Sequence, residues 1–86
     1  MTGTKYIVLD VRTKEEFNIR HLEEALNIPL SNIESGEVPD CSPDTKIFVH
    51  CASGARSERA KTVLESKGFT NIENTCNMDR TKSCLL

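Results

Sequence analysis

The segment around Cys51 holds the side chains best suited to chemistry in this chain. Cys51 follows an apolar run, residues 47–49, and His50, and Arg56 lies five positions after it. An activated cysteine is a nucleophile, and one close to an arginine can break a phosphate ester or carry a sulfur atom. A cysteine can also be a small apolar residue packed beside a turn. The pair alone does not decide between these three alternatives.

The residues after Cys51 favour a functional cysteine. Four small residues separate it from Arg56, namely Ala52, Ser53, Gly54 and Ala55. Gly54 can adopt positive φ, so the loop can curl and direct several N–H groups at one point. Such a loop at the start of a helix attracts an anion and lowers the pKa of a cysteine thiol. Arg56 and Arg59 add positive charge at this helix end, where the helix dipole alone favours acidic residues.

The composition is that of an ordinary globular domain. The chain has 86 residues and a net charge of −2 at pH 7, which predicts a single domain over residues 1–86, with the polar residues 74–86 as a flexible tail. No basic cluster indicates nucleic-acid binding, and no apolar stretch is long enough to cross a membrane. Residues 1–12 lack the apolar core of a signal peptide. We expect a cytoplasmic protein, and a removed secretory leader is left open.

The cysteine pattern predicts neither disulfides nor a metal site. The four cysteines lie at positions 41, 51, 76 and 84, without a secretory context that would favour pairing. There is no C-x-x-C pair, and the two histidines do not complete a ligand spacing for zinc. We therefore expect no metal and no cofactor, and we interpret Cys41, Cys76 and Cys84 as reduced thiols in loops or in the tail.

Short apolar runs alternate with helical patterns along the chain. Strands are predicted at residues 6–9, 25–28 and 46–50, with a weaker one at 70–73, and helices at 13–17, 30–35 and 56–67. This alternation predicts an α/β fold with a small, mostly parallel sheet flanked by helices. Ligands of such sheets bind beyond the carboxyl ends of the strands. Asp10 and Cys51 each lie at such an end, so we expect them to face one crevice.

Several segments resemble the rhodanese family of sulfurtransferases. Residues 51–57 are similar to its active-site loop, and Asp10, Val11 and Arg12 followed by Glu16 and Phe17 are similar to its D-V-R-x-x-x-E-[FY] signature. Residues 21–30 and 67–72 resemble two further family segments, so the resemblance covers about residues 7–74. The short chain is similar to minimal single-domain members of the phage-shock type.

The resemblance implies a rhodanese-like fold and a chemistry. Cys51 is expected to take sulfane sulfur from a small anion such as thiosulfate, or from a persulfide, and to pass it to a thiol or cyanide. The substrate-binding loop is expected to comprise Ala52, Ser53, Gly54, Ala55, Arg56 and Ser57, with Asp10, Arg12 and Arg59 in supporting roles. We expect a monomer.

The resemblance also implies individual roles for the supporting residues. Arg56 is expected to close the loop and orient anions, and Arg59 to recruit a charged donor. Asp10 is expected to hydrogen-bond near the loop, Arg12 to pair with Glu16 one helical turn on, and His21 to be buried and structural. The chain departs from the family pattern in several places. Arg20 stands at the position of a glycine, and Ala52 stands where arginine is common. Glu23 and Glu24 replace a Pro-Gly-like pair, and residues 75–77 replace a Gly-Gly turn.

The length of the loop from Cys51 to Arg56 distinguishes cleavage of a phosphate ester from sulfur transfer. Rhodaneses have six residues from the cysteine to the arginine, as Cys51 to Arg56 has here, whereas Cdc25-type phosphatases have seven. The smaller loop suits a sulfur atom better than a phosphoryl group. A phosphatase is therefore the second interpretation, after a sulfurtransferase. A non-catalytic binding module with the same fold is the remaining alternative.

Overall fold

Strands and helices alternate throughout the computed structural model, which describes residues 6–86. The first five residues, part of the segment interpreted above as lacking a signal peptide, lie outside the described residues. In chain order the elements are β1 Tyr6–Asp10, α1 Lys14–Ile19, β2 Ala25–Asn27, α2 Leu30–Glu34, β3 Lys46–His50, α3 Ala55–Ser66, β4 Ile72–Cys76 and α4 Met78–Cys84. Among these residues no helix is long and apolar enough to cross a membrane.

The four strands form one parallel sheet in the order β2-β1-β3-β4. The two most apolar strands, β1 and β3, are central, because a strand covered on both faces must bury most of its side chains. Leu9 and Val49 have no exposed surface and are register partners. The predicted α/β fold with a parallel sheet flanked by helices is confirmed.

Helices α1, α2 and α3 begin and end close to where the sequence indicates. Thr13 caps α1 through a capping box, in which the Glu16 N–H donates to Thr13 Oγ1 and the Thr13 N–H donates to Glu16 Oε1. Ala60 and Leu64 of α3 are fully buried against the sheet. Helix α3 is followed by Gly68, whose φ of +101° suits glycine.

The carboxyl-terminal region differs from the sequence prediction. Strand β4 begins at Ile72 and continues to Cys76, later than the predicted strand at 70–73. Residues 78–84, expected within a flexible tail, form α4, whose Thr81 is fully buried and hydrogen-bonded to Thr75 of β4. The prediction failed because α4 docks through a threonine rather than through an apolar stripe, which is the usual helix signal.

The sheet brings the predicted crevice residues to one edge. Asp10 is the register partner of His50, and the Val11 N–H continues the ladder by donating to the His50 carbonyl at 3.1 Å. Cys51 follows His50 directly. The carboxyl ends of β1 and β3 therefore lie side by side, as expected for Asp10 and Cys51.

Candidate active site

A tight loop after β3 holds Cys51 at the start of α3. Gly54, the N-cap residue of α3, has a φ of +106°, which confirms the predicted positive φ. The Cys51 Sγ atom accepts the Gly54 N–H at 3.1 Å and the Ser57 N–H at 3.4 Å. Cys51 is only 2% exposed. The backbone thus directs two donors at one buried sulfur atom.

These donors favour the thiolate form of Cys51. Burial by itself raises the pKa of the thiol, because it removes water from the charged form. Hydrogen bonds from Ser57, through its hydroxyl and its N–H, and from the N–H groups of Gly54 and Ser53 outweigh burial. The pKa of Cys51 therefore lies below its ordinary value, which makes it the better nucleophile at neutral pH.

Ser57 supports the loop from below. It is fully buried, and its Oγ atom lies 3.4 Å from Cys51 Sγ, 2.7 Å from Asn74 Oδ1 and 3.1 Å from the Gly54 carbonyl. A hydroxyl has one proton to donate, so donation to Asn74 and donation to the thiolate exclude each other. The backbone N–H groups of Gly54 and Ser57 are the donors that Cys51 keeps in both cases.

Asp10 and Arg12 form a buried ion pair beneath the site. Arg12 donates to both Asp10 carboxylate oxygens, from Nε at 2.9 and 3.0 Å and from Nη2 at 2.7 Å. Burial alone would raise the pKa of Asp10, but His50 and the hydrogen bonds from Arg12 hold it well below its usual range. His50 Nε2 lies 3.4 Å from Asp10 Oδ2, yet neither ring nitrogen has a well-aligned hydrogen bond among residues 6–86. Arg12 is therefore the main partner of Asp10.

Glu16 and Arg56 pair across the fold. Arg56 donates to the two Glu16 carboxylate oxygens at 2.7 and 3.0 Å. This hydrogen bonding, followed by that from the Thr13 N–H, lowers the pKa of Glu16 to about 2. The predicted pairing of Arg12 with Glu16 was wrong, because Asp10 is closer to Arg12 and Arg56 reaches Glu16 from α3.

Neither loop-side arginine lines the space above Cys51. Arg56, held by Glu16, lines a neighbouring depression with Val11 and Leu30. Arg59, predicted to recruit a donor, pairs on the surface with Glu34 at 3.0 Å. His21, predicted to be buried, is exposed, although its Nδ1 does hydrogen-bond the Phe17 carbonyl at 2.7 Å.

A pocket of about 270 Å³ opens above Cys51. Four chain segments line it: the residues after β1, the turn after α1, the loop after β3 and the start of α4. Its lining residues are Arg12, Arg20, Cys51, Ala52, Asn77, Met78 and Asp79. Of the predicted site residues, Cys51, Ala52 and Arg12 line this pocket, Asp10 and Ser57 support them from below, and Ser53 and Ala55 are exposed on the loop.

The sequence prediction missed one wall of the pocket. Asn77 is the N-cap of α4, where its side chain accepts the Arg80 N–H at 2.9 Å, and it places Met78 and Asp79 over the loop. An asparagine before a polar segment is a helix-start signal that was available in the sequence. Within residues 6–86 no group of three or more histidine, cysteine, aspartate or glutamate side chains is arranged to hold a metal ion.

Comparisons with known proteins found a matching family model and several similar chains. A family model for the rhodanese-like domain matches residues 1–77. The thiosulfate sulfurtransferase PspE of Escherichia coli is 35% identical over 69 residues, covering 77% of this chain and 64% of that protein. The mitochondrial protein HIGH ARSENIC CONTENT 1 of Arabidopsis thaliana is 40% identical over 84 residues, covering 85% of this chain and 48% of that protein. The chain thus spans about half the length of one of these curated relatives and less than two thirds of the other.

A solved structure has the same fold. An Escherichia coli rhodanese with bound anions superposes with a TM-score of 0.73 and 31% sequence identity, over 87% of this chain and 89% of that chain.

Proposed function

Because the chain belongs to the family of rhodanese-like domains, we propose that it is a sulfurtransferase that carries sulfane sulfur on Cys51. The observation that carries the proposal is the position of the Cys51 sulfur, which accepts two backbone N–H groups at the base of an open pocket. The same donors that stabilise a thiolate can stabilise the negative charge of a persulfide. One of the similar proteins is named as a thiosulfate sulfurtransferase, which supports the same chemistry for this chain.

The first half-reaction loads sulfur onto Cys51. The thiolate attacks the outer sulfur of thiosulfate, a bond forms between the two sulfur atoms, and the sulfur–sulfur bond of thiosulfate breaks. Sulfite leaves with the bonding electron pair, and Cys51 is left as an anionic persulfide. With a persulfide donor the leaving group is the corresponding thiolate. No oxidant, metal or proton transfer is needed in either case.

The second half-reaction unloads the sulfur. A cyanide ion or a thiolate attacks the outer sulfur of the Cys51 persulfide, and the Cys51 thiolate leaves. The products are thiocyanate or a new persulfide. Since the enzyme alternates between two stable covalent forms, ping-pong kinetics are expected.

The two ion pairs keep the loop in place for both steps. Arg56 ties the first turn of α3 to Glu16 of α1, and Arg12 ties the end of β1 to the turn after α1 by donating to the Arg20 carbonyl at 2.6 Å. In this proposal Asp10, Arg12 and Arg56 are positioning residues, and Arg59 has no part in the site.

The experiment is to incubate the protein with thiosulfate and measure its intact mass. We expect an adduct of one sulfur atom that is lost on adding cyanide, with release of thiocyanate. Cys51→Ser should abolish the adduct, and Cys84→Ser, on an exposed residue at the end of α4, should retain it. Hydrolysis of an aryl phosphate without a sulfur adduct would favour a phosphatase. Absence of both activities in the folded protein would favour a non-catalytic module.

A further inference from the structure

Two opposite charges lie on different walls of the pocket above Cys51. Arg20 lines it from the turn after α1, and Asp79 lines it from α4. Among residues 6–86 neither side chain takes part in an ion pair. The other charged lining residue, Arg12, is neutralised by Asp10. The residues that line the pocket therefore include one unpaired positive charge and one unpaired negative charge.

Hydrogen bonds hold both walls in place. The Arg20 carbonyl accepts a hydrogen bond from Arg12, and the Arg20 N–H donates to the Glu16 carbonyl at 3.3 Å. On the other side, buried Thr81 bonds to Thr75 and fixes α4 on β4. The two charges are thus placed by the fold, although their side chains are exposed.

The size of the pocket exceeds that of thiosulfate. At about 30 Å³ per heavy atom, the share of a water molecule in the liquid, thiosulfate takes about 150 Å³ and the persulfide of cysteine about 240 Å³. The pocket volume of about 270 Å³ therefore leaves room for a donor larger than thiosulfate. Met78, on the same wall as Asp79, offers apolar contact to a short carbon chain.

From these charges and this volume we propose that Arg20 and Asp79 are specificity-determining residues, and that they select an amino-acid-type persulfide as the sulfur donor. Arg20 binds the donor's carboxylate and Asp79 binds its ammonium group, whereas Asp79 repels a small dianion. The Cys51 thiolate attacks the outer sulfur, the sulfur–sulfur bond of the donor breaks, and the donor leaves as its thiolate. This inference rests on the proposed function, because it names the donor of the same reaction.

The test compares three persulfides that differ in charge pattern, with thiosulfate as a fourth donor. Cysteine persulfide carries both charges, cysteamine persulfide only the ammonium, 3-mercaptopropionate persulfide only the carboxylate, and thiosulfate is a dianion. The readout is the second-order rate constant for loading Cys51, followed by intact mass. An exposed charge pair contributes up to about 1 kcal/mol, so each effect should be about fivefold.

Asp79→Asn should slow loading about fivefold from the two donors with an ammonium group. It should leave 3-mercaptopropionate persulfide and thiosulfate unchanged or faster. Arg20→Gln should slow loading from cysteine persulfide, 3-mercaptopropionate persulfide and thiosulfate but not from cysteamine persulfide. Arg20→Lys and Asp79→Glu keep the charges and should therefore largely keep the wild-type order of loading rates among the donors.

Two matched controls lie next to β3 and α3, at the ends of these elements far from the pocket. Asp44 precedes β3 at the end opposite to Cys51, and Lys67 lies at the end of α3 opposite to the loop. Asp44→Asn and Lys67→Gln should both leave the order of loading rates among the four donors unchanged. The inference is overturned if Asp79→Asn and Arg20→Gln scale all four donors by one factor or by none. If the wild-type protein gains sulfur from none of the four, it is the proposed function that fails.

Discussion

The Sγ atom of Cys76 lies 3.2 Å from the position that a β-carbon on Gly54 would occupy. Gly54 is buried, with a φ of +106° that side-chain-bearing residues rarely adopt. The end of β4 therefore packs directly against the loop that holds Cys51. A side chain at position 54 would be disfavoured twice, by backbone conformation and by contact.

Gly54→Ala should reduce sulfur loading strongly and destabilise the fold by about 1–3 kcal/mol. The loop must change its conformation to accept the methyl group, and the Gly54 N–H then leaves the Cys51 sulfur. Urea unfolding and intact mass after thiosulfate measure the two effects. Gly36→Ala is the matched control, because Gly36 has a φ of +118° with nothing within 4 Å of its added β-carbon. It should lose stability but keep sulfur loading. A Gly54→Ala protein that loads at the wild-type rate would contradict the proposed role of the loop.

Ser57→Ala should raise the pKa of Cys51. The Ser57 hydroxyl is one of the donors that lower this pKa, so its removal leaves less thiolate at a given pH. The measurement is the rate of iodoacetamide alkylation of Cys51 against pH, whose midpoint should move to higher pH. Ser53→Ala serves as the control, because Ser53 acts on Cys51 only through its backbone N–H. Equal midpoints in Ser57→Ala and the wild type would show that the Ser57 hydroxyl does not lower the pKa of Cys51.

Glu16→Gln should make the fold less sensitive to acid. The pKa of Glu16 is lowered from 4.5 to about 2, first by its hydrogen bond with Arg56. A carboxyl group with a lower pKa in the folded state stabilises the fold above its unfolded pKa, and this contribution is lost as the pH falls from about 4.5 towards 2. For a pair this exposed it should not exceed about 1 kcal/mol.

The test of Glu16 is the free energy of unfolding between pH 5 and about 2. The wild type should lose more of it than Glu16→Gln over this range. Glu15→Gln, on an exposed neighbouring residue in the same helix, should follow the wild type. Parallel curves for the wild type and Glu16→Gln would show that the pair with Arg56 does not contribute to stability.

The central part of the fold could be predicted from the sequence, because it depends on local patterns. Strands β1 and β3 are nearly continuous apolar runs, and the capping box of α1 lies within four residues. The loop after Cys51 could be predicted for the same reason. These features place the nucleophile.

The surroundings of the nucleophile could not be predicted in the same way. Glu16 and Arg56 are 40 positions apart, and several acidic residues compete as partners for each arginine. Strand β4 lies at the sheet edge and carries Asn74 and Thr75 instead of an apolar run. Arg20 and Asp79 line one pocket above Cys51 because the turn after α1 and the start of α4 lie at the same edge of the sheet. Contacts of this kind depend on the assembled fold.

Cys76 is in reach of Cys51 for a disulfide. The Cys51 N–H donates to the Cys76 carbonyl at 3.0 Å, and standard bond lengths then keep the two Cα atoms within about 7 Å, the upper limit for a bridge. Cys84 lies at the far end of α4 and is exposed. With glutathione disulfide as the two-electron oxidant, a Cys51–Cys76 link should form faster than a Cys51–Cys84 link, and peptide mass mapping after the reaction distinguishes them.

The same geometry predicts that Cys76 is not needed for sulfur transfer. Cys76 does not line the pocket above Cys51. Its sulfur lies 3.2 Å from the position of a β-carbon on Gly54 and 3.9 Å from Arg80 Nη1. Cys76→Ser, which keeps the size of the side chain, should therefore show unchanged turnover with thiosulfate and cyanide, but less inactivation by glutathione disulfide. Cys84→Ser should match the wild type in both assays. A large loss of turnover in Cys76→Ser would instead indicate that sulfur passes from Cys51 to Cys76 during the reaction.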